Sequence, residues 1–367
     1  MPSSTSSSSE SVDMSKFDRP LPKRQLRNTV IVAFVICVTL MTGWELYWRD
    51  FGVPASYRNS EGLWTIQRRR IDNGEGDKTV LTGSSRVFFN TQLDVWEAES
   101  GQRPIQLALE GTSPLRIMEG LADDDDFTGT LLVGVAPMLF FSGFEYRQAV
   151  VDRYGKETPT QWLGQQISMP FEPYLRFYFP DYALFQILHR QDWTVREGWN
   201  SNIVLDVRKL ANYRKDRNAR LWSKVADNED YRNEARMIWE SGFVPMDERD
   251  DAFKTMALEG RATQIERAVT ATKKLHERGI DVIFVRNPAE GHYAMSEPMF
   301  NPRAETWDVL IEKTGALGIH WLDHEELQGF YLPEWSHMTG SEADRYTKAL
   351  YHVIQRELAA HKNMQSE

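Results

Sequence analysis

Five short apolar runs, separated by segments with helical periodicity, constrain the fold of this chain more than any other feature of its sequence. Each run is nearly continuous in apolar residues, as in strands that are covered on both faces. Strands that alternate with helices along a chain form parallel sheets with helices on both faces. We therefore expect an α/β fold with a doubly wound parallel sheet. The predicted strands are 79–82, 105–109, 130–135, 280–285 and 319–322.

Two helices with clear boundary signals accompany the last two predicted strands. A mostly apolar stripe runs from Ile265 to Leu275, and Gly279 after it is a typical C-terminal stop. Near the C-terminus, Ser341 and Asp344 resemble a capping box. We expect the helix that follows them to close the fold. Its inward stripe comprises Tyr346, Leu350, Val353, Ile354 and Leu358.

The segment of about residues 138–250 does not fit this alternation and is too long for a simple connection. We expect an inserted helical subdomain here. Its aromatic residues are interpreted as the core of the insertion, and the alternative is that some line a substrate cleft or contact a bilayer surface. They include Phe140, Phe141, Trp162, Tyr174, Phe177, Tyr178, Phe179, Tyr182, Phe185, Trp193 and Trp199.

The N-terminal part of the chain differs in composition from the predicted α/β domain of residues 76–367. Residues 1–27 begin with a serine-rich stretch and are expected to form a disordered cytoplasmic tail. Residues 28–48 are expected to be a transmembrane anchor, and residues 49–75 a juxtamembrane linker. The anchor would make the lipid bilayer a partner of this protein.

The anchor is predicted from its length and its lack of charge. Glu45 is the one charged residue in the span, and Trp44, Tyr47 and Trp48 suit a membrane interface. A buried core helix is one alternative, but a helix that is apolar on every face is seldom needed so near a terminus. A cleaved signal peptide is the other, although bulky residues stand where small ones would mark the cleavage site.

Charges that flank the span predict its orientation. Only Arg49 and Arg58 follow it closely, and the arginines at 68–70 come later. By the positive-inside rule the N-terminus is expected in the cytoplasm and the main domain outside. The basic residues that precede the span are Lys16, Arg19, Lys23, Arg24 and Arg27.

Composition excludes several classes of function. The formal net charge of -10 argues against nucleic acid as a partner, because phosphate binding needs clustered basic residues. The single cysteine, Cys37, excludes an internal disulfide and a paired-cysteine metal site. The acidic run at 323–326 does not predict a metal site either, because consecutive side chains point in different directions. We expect no metal and no cofactor.

A serine motif follows the first predicted strand. Gly83, Ser84 and Ser85 stand at the carboxyl end of this strand, where open α/β sheets bind their ligands. Glycine permits a tight turn from which a serine hydroxyl projects, with its own N–H directed toward a developing oxyanion. Taken alone, such a motif is more often an ordinary turn. Adjacent residues of an extended segment face opposite sides, so only one of the two serines can face the site.

A carboxylate and a histidine follow the last predicted strand. Glu334 stands three residues before His337, so both can lie on one side of a turn. A carboxylate that accepts one imidazole N–H fixes the tautomer and leaves the other nitrogen to take a proton from a serine. The alternative is a salt bridge at a helix start.

Together these motifs resemble the SGNH (GDSL-like) hydrolases over about residues 76–136 and 280–358. The resemblance implies a flavodoxin-like sheet, Ser85 as the nucleophile and His337 as the general base. Glu334 would orient the histidine in place of the aspartate usual in the family.

The resemblance also implies an oxyanion hole built from the N–H groups of Ser85 and Gly111. The family's third block, Gly-x-Asn-Asp, is replaced by Gly134, Val135, Ala136 and Pro137, so its asparagine donor is absent. Three further candidates lie outside the family motif. Asn287 is a candidate substitute for the missing oxyanion donor, and Arg86 and His292 are candidate substrate-binding residues.

The Gly-Ser-Ser-Arg sequence and the single span are similar to a membrane-anchored bacterial envelope variant of the family. This similarity implies an esterase or O-acyltransferase that acts on acylated polysaccharide through an acyl-serine intermediate, at the inner membrane with a periplasmic catalytic domain. It also suggests a membrane-bound O-acyltransferase as a partner. Whether water or a sugar accepts the acyl group is left open by the sequence. The alternative function is a catalytically inactive module that binds polysaccharide or acts as a scaffold.

Overall fold

The computed structural model describes residues 24–190, 208–241 and 250–366. The chain divides into two compact units, Met1–Phe51 and Gly52–Glu367. Most of the predicted tail of residues 1–27 lies outside the described residues, as do Trp193 and Trp199.

The first unit contains one long helix, α1, which spans Gln25–Asp50. It is 26 residues long, and an 18-residue stretch of it reaches a mean hydropathy of 2.0. At 1.5 Å per residue it extends about 39 Å, enough to cross the hydrocarbon core of a bilayer. The predicted apolar helix at residues 28–48 is therefore confirmed, with longer ends. By length and composition, a membrane span and a signal sequence both fit it.

The second unit is built on a sheet of five parallel strands. Their order across the sheet is β2-β1-β3-β6-β7. Each strand lies within or overlaps one of the five predicted runs, which confirms the α/β class. The bounds are β1 Val80–Thr82, β2 Ile105–Gln106, β3 Leu131–Gly134, β6 Val282–Arg286 and β7 Leu317–His320, while β4 Ala211–Tyr213 and β5 Ala219–Leu221 form a separate antiparallel pair.

Two of the predicted strands have different ends in the structure. Beyond β2, the N–H of Leu107 still donates to the carbonyl of Leu81 in β1, and the N–H of Leu109 donates to that of Gly83 just after β1, but the backbone leaves regular strand geometry. The last strand begins earlier than predicted, and Trp321–Asp323 forms a 3-10 turn after it. His320 caps this turn by accepting a hydrogen bond from the N–H of Leu322 through Nδ1 at 3.2 Å.

Helices cover the sheet, and two of them are long. α12 packs against α5 and α14, while α15 packs against α3 and α4. The predicted helix before β6 is confirmed, although it begins earlier than its apolar stripe. The bounds are α3 Ser85–Asn90, α4 Leu93–Ser100, α5 Leu115–Ala122, α12 Asp251–Glu277, α13 Gly291–Phe300, α14 Trp307–Thr314 and α15 Gly340–Ser366.

The cap of the last helix differs from the predicted one. The hydroxyl of Thr339 accepts from the N–H of Glu342 at 3.4 Å, so the capping residue precedes Ser341. Asp344 instead forms an ion pair with Arg220 at 2.6 Å, which joins α15 to β5. The motif Thr339-x-x-Glu342 begins two residues before the predicted Ser341-x-x-Asp344. Thr339, and not Ser341, caps the helix.

Residues 49–75, predicted as a linker, contain the helix α2, Glu61–Arg70, and a π-helical turn at Ile71–Glu75. Leu63 and Trp64 of α2 are buried, and the indole N–H of Trp64 donates to the carbonyl of Leu107 at 2.9 Å. This helix thereby contacts the segment that follows β2 and leads to Gly111.

The region between β3 and α12 contains short helices and the β4–β5 pair rather than helices alone. Its described part belongs to the same compact unit as the sheet. Many of its aromatic side chains are exposed, including Trp162, Tyr174 and Phe185, whereas Phe140 and Phe141 are buried in the core beside Phe284 of β6. The helices are α6 Pro137–Phe140, α7 Gln148–Asp152, α8 Pro159–Ser168, α9 Leu184–His189, α10 Ser223–Asp227 and α11 Glu229–Ser241.

Candidate active site

The serine motif forms a sharp turn between β1 and α3. Gly83 has φ +149°, and a Cβ at this position would lie 3.0 Å from the Cα of Gly134 on β3. A side chain would therefore meet both strain and a backbone neighbour. Ser85 is the first residue of α3 and is half-buried, whereas Ser84 is only 2% exposed. Both serines line one cavity, and Ser85 is the more accessible.

Glu334 and His337 form a buried pair in the loop between β7 and α15. Nδ1 of the imidazole lies 2.9 Å from Oε1 of the carboxylate, and the same oxygen accepts from the backbone N–H of His337 at 2.7 Å. This arrangement assigns the proton to Nδ1 and leaves Nε2 as the acceptor nitrogen. Nε2 is buried and has no hydrogen-bond partner among the described residues.

The environment of Glu334 keeps its carboxylate charged. Complete burial raises the pKa of Glu334, but attraction to His337 and hydrogen bonds from His337 and Trp239 outweigh burial and hold the pKa below its usual value. A buried carboxylate that stays ionised can stabilise a positively charged imidazole beside it.

Helix α11 holds the loop of Glu334 and His337 in place through two side chains. The indole N–H of Trp239 donates to Oε2 of Glu334 at 2.8 Å, and Arg236 donates to the carbonyl of Pro333 at 3.0 Å through Nε. Trp335, between the two catalytic candidates, has φ +73°, a conformation that a non-glycine residue adopts only when its surroundings impose it. Sequence reasoning missed Trp239, because nothing in its local pattern connects it to a loop some 95 residues away.

One cavity of about 530 Å³ joins the two motifs. Ser85, Gly111 and His337 all line it, so residues from three separate loops at the carboxyl ends of strands face one space. No hydrogen bond joins Ser85 to His337 among the described residues. The ring of Phe89 lies 4.5 Å from the ring of His337, centroid to centroid, so the helix that begins at Ser85 packs directly on the imidazole. Hydrogen bonds between catalytic groups often form only when a substrate is bound.

Gly111 lines the cavity with φ +60°, a conformation that favours glycine. Its neighbour Glu110 accepts hydrogen bonds from Asn59, Arg147 and Tyr213 at 2.6 to 2.9 Å. These three donors come from distant parts of the chain and hold the loop in place. Neither the N–H of Gly111 nor that of Ser85 has a hydrogen-bond partner among the described residues, so both are available as donors to a ligand.

The third block contributes no donor side chain. Ala136 lines the cavity at the position where the resemblance to SGNH hydrolases would place an asparagine. Asn287 is not among the residues that line this cavity, because its Oδ1 accepts from the hydroxyl of Tyr346 at 2.7 Å. The structure therefore does not bring Asn287 together with Ser85 and Gly111.

The two predicted substrate contacts differ in position. Arg86 lines the cavity, but its guanidinium is 3% exposed and forms a bidentate pair with Glu297, while its Nε donates to Ser336 at 3.1 Å. This position ties α3 to the histidine loop. His292 does not line the cavity, and its ring lies beside Trp335 at 6.3 Å.

Lys209 is a cation in this cavity that sequence reasoning did not identify. It is 3% exposed, its Nζ donates to the carbonyl of Ala211 at 2.8 Å, and it lies 3.6 Å from the ring centroid of Phe179. Burial lowers the pKa of Lys209 to about 7, against the opposing attraction of Asp181. Its charge can therefore change near neutral pH, within the same space as Ser85.

Among the described residues, no group of three or more histidine, cysteine, aspartate and glutamate side chains is arranged to hold a metal ion. In the acidic run near residue 323, Asp323 pairs with Arg303 and Glu326 pairs with Arg356.

In comparisons with known proteins, no family model matches this chain. A search of the curated proteins found no matching protein either.

Proposed function

We propose that this protein is an SGNH-type serine esterase or O-acyltransferase. The observation that carries the proposal is the buried Glu334–His337 pair, at 2.9 Å, in the wall of a cavity that Ser85 shares. A carboxylate, an imidazole and an accessible hydroxyl at one site are the components of a serine triad.

The proposed reaction has two steps. Oγ of Ser85 attacks an ester carbonyl while Nε2 of His337 takes the hydroxyl proton, and the charged Glu334 stabilises the imidazolium. The N–H groups of Ser85 and Gly111 donate to the oxyanion, and the imidazolium returns the proton to the departing alcohol. Water or a sugar hydroxyl then attacks the acyl-serine, which restores the enzyme. We propose acylated envelope carbohydrate as the substrate, as the family resemblance implies.

We further infer that the sheet is doubly wound. The packing of α12 with α5 and α14, and of α15 with α3 and α4, supports two helical layers. The strand order β2-β1-β3-β6-β7 supports a change of direction between β1 and β3, which is where ligands bind in doubly wound sheets. Ser85 follows β1, in agreement with this position.

We infer that α1 is a single membrane span of a bacterial inner membrane, with the N-terminus in the cytoplasm and the catalytic domain in the periplasm. The length and hydropathy of α1 and the basic residues ahead of it support this inference. A C-terminal alkaline phosphatase fusion should be active and should remain with membranes after carbonate extraction. An inactive fusion, or release from the membrane, would argue against the anchor as proposed. A membrane-bound O-acyltransferase remains a proposed partner.

Esterase assays test the enzymatic proposal. Full-length protein in detergent should hydrolyse p-nitrophenyl acetate, and Ser85→Ala and His337→Ala should each lower kcat by about 10³-fold or more. Arg116→Gln is a matched control, because Arg116 pairs with Asp152 at an exposed site outside the cavity. Equal rates for the wild type and Ser85→Ala would refute Ser85 as the nucleophile.

A catalytically inactive polysaccharide-binding or scaffolding module is the second candidate. The observation that favours it is Ala136, which supplies no side-chain donor where the family has asparagine. Binding of a glycan without any esterase activity in the wild type would support this alternative over the enzyme.

A further inference from the structure

A second cavity, of about 460 Å³, shares Arg147 with the candidate active site. Its other walls come mainly from α2 and α8 and from the chain that precedes each helix. We call it the arginine cavity. It is defined by Arg58, Arg69, Arg147, Arg153, Trp162 and Gln165.

The arginine cavity has an excess of positive charge. Four arginines and two glutamates, Glu61 and Glu157, line it. Arg69 pairs with Glu157 at 2.8 Å, and Arg153 pairs with Glu61. Arg147 pairs with Glu110 at 2.8 Å, across the boundary with the active-site cavity. With Glu110 counted, the set has one more positive than negative group, and that group is Arg58.

Arg58 is the arginine of this set whose guanidinium forms no ion pair or hydrogen bond with a described residue. Its charge lies 5.3 Å from the ring centroid of Tyr178, and its Nε is buried without a partner. A buried donor without a partner is costly, and in a cavity wall such a group can be completed by a ligand. A guanidinium fits a carboxylate through two parallel hydrogen bonds.

The remaining walls suit a carbohydrate. Nε2 of Gln165 is buried without a partner, while its Oε1 accepts from Ser60 at 2.8 Å. Gln161 and Gln166 add further amides that can bind hydroxyl groups. The ring of Trp162 is 51% exposed at the cavity and offers a flat apolar face. Aromatic faces and amides together match the C–H faces and hydroxyls of a sugar ring.

We propose that the arginine cavity binds a carboxylate-bearing carbohydrate, with the carboxylate at Arg58 and a sugar ring against Trp162. Because Arg147 lines both cavities, a polymer held here extends toward Ser85. The role of this polymer as the acyl-bearing or acyl-accepting chain rests on the proposed function, whereas its binding does not.

Titration calorimetry on the full-length protein in detergent tests this proposal with tetragalacturonate and with uncharged maltotetraose. Tetragalacturonate should bind at least about tenfold more tightly than maltotetraose, and Arg58→Gln should weaken its binding by about tenfold or more. Trp162→Ala should also weaken binding and, because this side chain is exposed, should not impair folding. Arg116→Gln, a surface arginine outside both cavities, should bind as the wild type does.

Ser85→Ala separates this inference from the enzymatic proposal. Suppose that Ser85→Ala binds tetragalacturonate as the wild type does, and that neither the wild type nor any variant hydrolyses esters. The proposed binding site would then stand, and the enzymatic proposal would be rejected. Wild-type affinity in both Arg58→Gln and Trp162→Ala, equal affinity for the two oligosaccharides, or no binding of tetragalacturonate would overturn the inference.

Discussion

Glu334 and Lys209 are two buried charged side chains at the candidate active site. Their surroundings shift the two pKa values for different reasons. Glu334 has the imidazole of His337 and several hydrogen-bond donors around it, so its pKa stays low despite burial. Lys209 has one carbonyl acceptor and aromatic rings around it, so burial lowers its pKa to about 7. The surroundings of Glu334 preserve a charge that the proposed triad needs. Burial of the charged Lys209 side chain lowers the stability of the folded protein by an amount that depends on pH.

This cost gives a prediction for stability. The unfolded chain keeps Lys209 protonated up to its ordinary pKa, whereas the folded protein releases the proton near pH 7. The burial cost is therefore fully present below pH 7 and falls as pH rises. The free energy of unfolding of the wild type should rise relative to Lys209→Met by at most about 1.4 kcal/mol per pH unit above pH 7.

Urea denaturation of both proteins at several pH values on either side of neutrality measures this difference. The comparison removes the titration of all other groups that the two proteins share. A difference that does not change with pH would show that Lys209 does not titrate in this range.

At the level of elements, α11 and the end of β3 position the candidate site without supplying reacting atoms. α11 contacts both the carbonyl of Pro333 and the carboxylate of Glu334. Gly134, at the end of β3, lies against the turn of Gly83. Each contact joins segments far apart in sequence, and each supports a separate prediction.

Trp239→Phe removes one hydrogen bond to Glu334 and keeps an aromatic ring in place. Because a hydrogen bond to a charged group contributes about 1.5 to 3 kcal/mol, kcat for ester hydrolysis should fall by about tenfold or more. Trp239 also lines the cavity, and because phenylalanine keeps an aromatic ring there, KM should change less than kcat. Trp222→Phe, on a nearby element but outside the cavity, is the control. An unchanged kcat for Trp239→Phe would argue that α11 does not position the carboxylate.

Gly134→Ala places a methyl group against Val87 of α3, the helix that begins at Ser85. A Cβ at Gly134 would lie 2.1 Å from Cγ2 of Val87, so the helix would have to move. We expect a loss of about 1 to 3 kcal/mol in the free energy of unfolding. In the double variant with Val87→Ala, the loss should be smaller than the sum of the single losses, because the contact with Cγ2 is removed and only the Cβ of residue 87, at 3.0 Å, remains close. Strict additivity in chemical denaturation would contradict the close approach.

At the level of the whole molecule, sequence patterns predicted the five strands and the two long helices because strand and helix periodicities are local. They also predicted that Ser85 and His337 face one space, since carboxyl ends of parallel strands share one edge. They did not predict the role of Trp239, nor that α2 is buried where a linker was expected. Both features depend on contacts between distant segments. So does the position of Asn287, which accepts a hydrogen bond from Tyr346 of α15 and does not line the cavity.

Mass spectrometry after fluorophosphonate labelling of the full-length protein tests the central claim most directly. We expect one adduct, on Ser85, in the wild type and in Ser84→Ala, with much slower labelling in His337→Ala and none in Ser85→Ala. Labelling of a different residue, equal labelling of Ser85→Ala, or an unlabelled wild type would contradict it.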